Sequence, residues 1–282
     1  MKNNISILTA LVTLLCLSYG NKAIAQSTAG TPYTNPIMWA DVPDLSVTRS
    51  GGNFYLISTT MHLMPGAPVM KSKDLVHWHT ASYVFDSLTD NRKYNLEGGN
   101  VYGRGQWASS IRYHKGKYYV LFSPNDEPFK SYIYSTSNPD TGKWTLVSRT
   151  QHFHDASLFF DDNDRPYVFS GTHVTELKAD LSEVKPGGVD AEIFKKDASE
   201  TGLLEGNQVV KHNGKYYLLM ISWPKNSKRR QVCYRADNIT GPYEKKVILE
   251  DSFAGFPYVG QGCIIDDENG NWYGLVFQDR NG

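Results

Sequence analysis

The chain has 282 residues and a mass of 31.8 kDa, and its 29 basic and 29 acidic residues cancel to a formal net charge of zero. The longest basic run, Lys228-Arg229-Arg230, reads as a solvated loop. Nothing else in the charge pattern suggests an electrostatic grip on nucleic acid or anionic lipid. The length is enough for one large domain or two small ones. Aromatic residues make up 13% of the chain, and 18 of them are Tyr. Such an excess suits half-buried strands and also suits sugar binding, because a flat ring packs on the C–H face of a sugar while a polar edge meets hydroxyls.

Residues 1–25 have the pattern of a signal peptide. Lys2 supplies a positive start, Ile5 to Leu17 an apolar run, and Ala23-Ile24-Ala25 an A-x-A cleavage site, which places the mature start near Gln26. The apolar run is too short to span a bilayer. Cys16 follows Leu15, where a lipoprotein signal wants a small residue, so a soluble exported protein, periplasmic or extracellular, is expected. Removing the leader leaves Cys233 and Cys263, which export permits to pair and which equally serve as buried free thiols. Two cysteines make no zinc framework, and no histidine stands at ligand spacing around them.

From there the chain repeats itself. A polar turn followed by an aromatic strand occurs five times, over residues 51–58, 115–122, 162–169, 213–220 and 269–276. The aromatic anchors Tyr55, Tyr119, Tyr167, Tyr217 and Tyr273 lie 64, 48, 50 and 56 residues apart by subtraction. That is the period of a propeller blade with loop insertions. Each turn joins two strands as a hairpin. Third strands follow at 132–136 and 232–235. A fourth strand carrying Trp or Tyr is read at 74–78, 142–145 and 241–244. No long segment has helical periodicity, so the expected fold is an all-β, five-bladed β-propeller over residues 26–282. The fifth unit stops at Gly282 after one hairpin, which reads as a truncated last blade.

Three acids stand just before, or at the start of, an inner strand that is otherwise small or apolar. They are Asp44 in Val42-Pro43-Asp44-Leu45-Ser46, Asp155 in His154-Asp155-Ala156-Ser157-Leu158, and Glu205 in Leu203-Leu204-Glu205-Gly206-Asn207. A buried acid in such a place is costly unless it is functional or well paired. Inner strands of a propeller line its central channel, so these side chains converge from different blades. A lone Asp before a strand is ordinarily a turn or cap residue, and Asp161, Asp162 and Asp164 read that way.

These segments resemble glycoside hydrolase family 43, in particular its β-xylosidase and α-L-arabinofuranosidase members. The similarity is carried by residues 35–44, by 154–159 beside the family's D-P-S-L-F, and by 204–206 beside its E-G-P. Residues 71–78 and 107–113 add to it, and it covers roughly residues 35–282. Leu45, Ala156 and Asn207 depart from the family's prolines and keep the acids. The resemblance implies an inverting hydrolase with Asp44 as general base and Glu205 as general acid. Asp155 would raise the pKa of Glu205 and orient it. Asp41 is the rival base. Inversion asks for two carboxyls about 6.5–9.5 Å apart, a spacing that facing blades can supply. No cofactor is required. Many members hold a central ion with a His in the last inner strand; here the matching stretch is Val259-Gly260-Gln261-Gly262, which puts a structural calcium in doubt.

Trp39 and Trp107 lie beside inner-strand positions and could stack on a pentose or pack between blades, and His62 could hydrogen-bond a hydroxyl or be structural. Trp78 and Trp144 read as packing residues. The Gly-rich segment 86–104 is a candidate pocket rim. The expected substrate is a pentose-containing poly- or oligosaccharide of the arabinoxylan or arabinan type. The alternative is a non-catalytic carbohydrate-binding propeller, which keeps aromatics and can lose acids. If the leader is processed as read, N-terminal sequencing of protein exported from a bacterial host finds a start at or next to Gln26.

Overall fold

The structure, a computed structural model, describes residues 33–250 and 258–279. The leader expected over residues 1–25 lies outside the described residues. The described residues form an all-β propeller. Its first blade comprises β1 (Ser46–Ser50), β2 (Asn53–Ile57), β3 (Gly66–Ser72) and β4 (His79–Phe85). The second comprises β5 (Gln106–His114), β6 (Lys117–Pro124), β7 (Lys130–Thr136) and β8 (Thr145–Gln151). The third comprises β9 (Ser157–Phe160), β10 (Pro166–Ser170), β11 (His173–Glu176) and β12 (Asp190–Glu192). The fourth comprises β13 (Leu203–His212), β14 (Lys215–Trp223), β15 (Arg230–Ala236) and β16 (Glu244–Leu249). A two-stranded sheet, β17 (Tyr258–Asp266) with β18 (Trp272–Asp279), completes the described residues.

Every pairing within these sheets is antiparallel and sequential, as short hairpin turns require. All five repeated turns connect the first and second strands of their sheets, and all five tyrosine anchors stand on second strands. The tryptophan- and tyrosine-bearing segments expected as fourth strands are instead the turns that lead into them. The physical reason is local. The Asp74 carboxylate accepts the backbone N–H groups of Val76 and His77, which holds 74–77 as a turn, and β4 begins at His79. Likewise β8 begins at Thr145, just after Trp144, and β16 at Glu244, just after Tyr243.

The second strands β2, β6 and β10 are buried on both faces, so they read as nearly continuous apolar runs and feed two cores each. Tyr55 and Ile57 of β2 face Val120 and Phe122 of β6, while Phe54 and Leu56 face Cys263 and Leu275 of the last sheet. Leu121 of β6 turns the other way, toward Leu158 and Val168 of the third blade. Tyr167 and Phe169 of β10 meet Leu218 and Met220 of β14. Trp78 and Trp144 are partly buried against these cores, as packing residues should be. Cys233 and Cys263 are both free thiols.

The first strands β1, β5, β9 and β13 each contact the next, β13 contacts β17, and β17 contacts β1. Their inner edges have no further strand to pair with, so side-chain hydroxyls take up backbone donors. Ser46 Oγ accepts from Ile111 N, Thr48 Oγ1 from Tyr113 N, Ser110 Oγ from Leu158 N and Ser157 Oγ from Val209 N, at 3.1–3.2 Å. Arg112 of β5 reaches across to Ser157 Oγ at 2.7 Å and to the Val209 carbonyl at 3.1 Å. Leu218 is fully buried between the third and fourth blades. Leu218→Ala should therefore cost about 2–5 kcal/mol, read as a lower urea midpoint at an unchanged slope.

Candidate active site

The three acids converge at one end of the inner strands, and the backbone that presents them is unusual. Asp44 and Asp155 each stand two residues ahead of an inner strand, in the left-handed region, with φ of 53° and 44°. Non-glycine residues seldom adopt that region, and such strain gathers where function holds it. Glu205 lies inside β13, at a register shift between Glu205 and Gln208. Gly206 follows at φ 76°, and a Cβ there would come within 2.5 Å of Gln261 Oε1, so only glycine fits the bulge. Parallel shifts occur between Gln106 and Ser109 in β5 and between Val259 and Gly262 in β17. Bulges of this kind re-aim side chains beside functional sites.

Each acid has its own partner. Thr59 Oγ1 donates to Asp44 Oδ2 at 2.7 Å. Burial pushes the Asp44 carboxyl above its ordinary range; the Thr59 hydrogen bond opposes this, and the charge of Glu205 adds to the rise. His154 Nε2 lies 3.1 Å from Glu205 Oε2 and 3.8 Å from Asp155 Oδ1. Its hydrogen bond to Glu205 raises the imidazole pKa. Asp155 is only 7% exposed, and burial pushes its carboxyl up to about 7 against the pull of His154. The negative charges of Glu205 and Asp44 push in the same direction as burial. All three carboxyls therefore lie within electrostatic reach of one another. Desolvation falls most heavily on Asp155, and the hydrogen-bond partner of Glu205 is His154.

Residues that no motif singled out hold this arrangement. Buried Gln106 accepts from Thr60 N and Thr60 Oγ1 at 2.9 and 2.6 Å, and its amide donates to the Ser58 carbonyl at 3.0 Å. It thereby fixes the segment that carries Thr59. Asn207 exchanges both amide hydrogen bonds with Gly171 at 2.9 Å, and its backbone N–H donates to the Asp155 carbonyl at 3.1 Å. Asn207 was visible in the sequence only as a replaced proline. His154 was visible as the neighbour of Asp155, and Thr59 as part of Thr59-Thr60-Met61, without a sign of what either touches.

Of the expected sugar contacts, Trp107 lies nearest the acids in the chain of rings, 5.8 Å from the His154 ring, with its indole N–H donating to the Gly103 carbonyl. His62 packs edge-on against Tyr102 at 4.1 Å. Trp39 is 71% exposed, so it is not a core residue, and Asp41, the rival base, is exposed. Segment 86–104 meets the second blade through Asn91, which donates to the Glu127 carbonyl, and through Arg104, whose carbonyl accepts from Asn125 N.

The resemblance raised a central calcium. Where a histidine would stand, buried Gln261 presents an amide nitrogen without a partner. The nearby ring of inner strands holds the Arg112 guanidinium, which burial pulls down to about 10 and which stays charged at neutral pH. A fixed guanidinium in that ring does not fit a neighbouring calcium, which takes about 6–8 oxygen ligands. His154, Asp155 and Glu205 do bring three ligand atoms within 4.8 Å of one another, at the proton-bearing site itself.

Residues 33–282 match the family model Glycosyl hydrolases family 43. The chain belongs to this family. It is 32% identical over 265 residues to a putative beta-xylosidase of Xylanibacter ruminicola, covering 88% of this chain and 46% of that relative. It is 28% identical over 290 residues to the non-reducing end alpha-L-arabinofuranosidase BoGH43B of Bacteroides ovatus, covering 99% of this chain and 53% of that one. A solved bifunctional GH43-CE protein of Bacteroides eggerthii superposes with a TM-score of 0.79 at 40% identity, covering 87% of this chain and 32% of that chain. The family 43 chain thus spans about half the length of the curated relatives it matches.

The burial of Asp155 has a consequence for stability. Its folded pKa of about 7 lies above its ordinary 3.8, so its contribution to stability is full below 3.8 and is lost as pH rises through about 7. Asp155→Asn keeps the shape, tolerates the left-handed backbone and removes the titration. The melting midpoint of the variant should exceed the parent's at pH 8, and the gap should shrink toward pH 4.

Proposed function

We propose that this family 43 chain is the catalytic propeller of an inverting glycoside hydrolase. It would release L-arabinofuranose or D-xylose from arabinoxylan- or arabinan-type polysaccharides or oligosaccharides. The observation that carries this reading is the convergence of three carboxyls from three blades, one held by a threonine hydroxyl and one by an imidazole. The family match favours a hydrolase over a carbohydrate-binding propeller, which needs aromatics but no paired acids. Relatives named beta-xylosidase, alpha-L-arabinofuranosidase and endo-alpha-(1->5)-L-arabinanase support the pentose class.

In this reading Asp44, ionised and oriented by Thr59, takes a proton from water as the oxygen attacks the anomeric carbon. Glu205 gives the proton it shares with His154 to the departing glycosidic oxygen. Asp155 acts through its field: its charge and that of Glu205 disfavour each other. Trp107, beside His154, supplies a stacking face, while Trp39 and His62 are candidates for the rim. The same reading makes the ring five-bladed, with β17 and β18 as inner strands of the fifth blade; the contact of β17 with both β13 and β1 supports it. The pattern of residues 1–25 supports export to the periplasm or beyond.

The two acids separate by leaving group. A 4-nitrophenyl glycoside departs with little proton assistance, whereas a sugar needs it. Glu205→Gln should lower kcat on a pentose disaccharide by about 10²–10⁴-fold and lower it less on the 4-nitrophenyl α-L-arabinofuranoside or β-D-xyloside. Asp44→Asn should abolish turnover of both. Equal turnover by parent and Asp44→Asn would overturn the assignment, and the preferred nitrophenyl glycoside names the released sugar.

A further inference from the structure

Rings continue outward from the proposed acid. His154, bonded to Glu205, lies 6.4 Å from the His152 ring at an interplanar angle of 29°, and His152 lies 6.1 Å from the Phe129 ring, edge to face. With the Trp107 ring also 5.8 Å from it, His154 is the middle of an aromatic path from Trp107 to Phe129. The leaving group departs on the side of the proton donor, so a sugar beyond the scissile bond would run along this path.

Two features mark its far end. Phe129 is a bulky residue at φ 52°, in the left-handed region, and its side chain is 50% exposed. A strained backbone that displays a large ring to solvent gains nothing from core packing. The turn is nonetheless braced: Phe129 N donates to the Asp126 carbonyl at 3.0 Å, and Glu127 N to the Asp126 carboxylate at 2.7 Å. That carboxylate is buried and also meets Lys93 at 3.5 Å and Arg104 at 3.3 Å. His152 in turn has a shielded Nδ1 with no hydrogen-bond partner, so no such bond at that nitrogen fixes its ring. The half-buried His152 ring beside the exposed Phe129 ring offers the C–H face of a sugar an apolar surface to pack on.

We propose that Phe129 and His152 form a subsite for a pentose ring on the leaving-group side, which makes the protein selective for oligosaccharide chains over simple glycosides. The proposal rests on Glu205 being the acid. The test compares two substrates of the released sugar: its glycosyl fluoride, whose leaving group has no ring, and its linear trisaccharide. The readout is the ratio of kcat/KM for trisaccharide to kcat/KM for fluoride. Phe129→Ala and His152→Ala should each lower this ratio, Phe129→Ala by about tenfold, and Phe129→Trp should restore it. Phe129→Gly should lower the ratio while raising the melting midpoint, because glycine relieves the backbone. A parent that turns over both substrates, with the ratio unmoved in Phe129→Ala, overturns the subsite alone. A parent that turns over neither overturns the hydrolase reading and the subsite with it.

Discussion

The innermost strand of a propeller blade has an edge with nothing to pair with, and how that edge is satisfied decides what the rest of the molecule can do. Here serine and threonine hydroxyls on one inner strand receive backbone N–H groups from the next: Ser46 and Thr48 from β5, Ser110 from β9, Ser157 from β13. Ser46 also donates to Gln208 Oε1, which ties the first blade to the fourth across the ring. Only short side chains fit this role, since larger ones would force the strands apart. Arg112 fills the space that remains and bonds to the third and fourth blades at once. These bonds set the spacing of the strand ends, and the acids sit at those ends.

Irregular backbone presents the acids at that end. Asp44 and Asp155 are left-handed, and Glu205 stands at a bulge closed by Gly206. Each departure costs free energy that the apolar cores between blades offset. The gain is orientation: a straight strand would alternate its side chains, whereas a bulge turns an acid toward the channel. Strain at Phe129 fits the same logic at the rim, with a braced turn holding a ring outward.

The acids differ because their surroundings differ. Asp44 is part-buried with a hydroxyl donor, Asp155 is sealed from water, and Glu205 faces an imidazole. One carboxyl can then act as a base while a proton is retained nearby, although all are of similar intrinsic strength. His154 couples the second and third of these groups. It also stands within the aromatic path, so the proposed proton donor and the proposed sugar-binding face meet at a single ring.

The five turn-and-strand repeats, the tyrosine anchors and the three acids were all legible in the chain, because period, turn chemistry and a costly acid beside an apolar strand are local properties. The family resemblance rested on the acid-bearing segments together with residues 71–78 and 107–113. Fourth strands were misplaced by a few residues, because the Asp74 turn competes with the strand for the same backbone N–H groups. What touches the acids was not legible. Thr59 is fifteen residues from Asp44 and His154 is fifty-one from Glu205. Gln106 and Asn207 act through partners on other strands or blades. A linear pattern records which residues could be buried or reactive, but closure of the ring decides which of them meet. The desolvation that raises Asp44 and Asp155 exists only once the strands around them have packed.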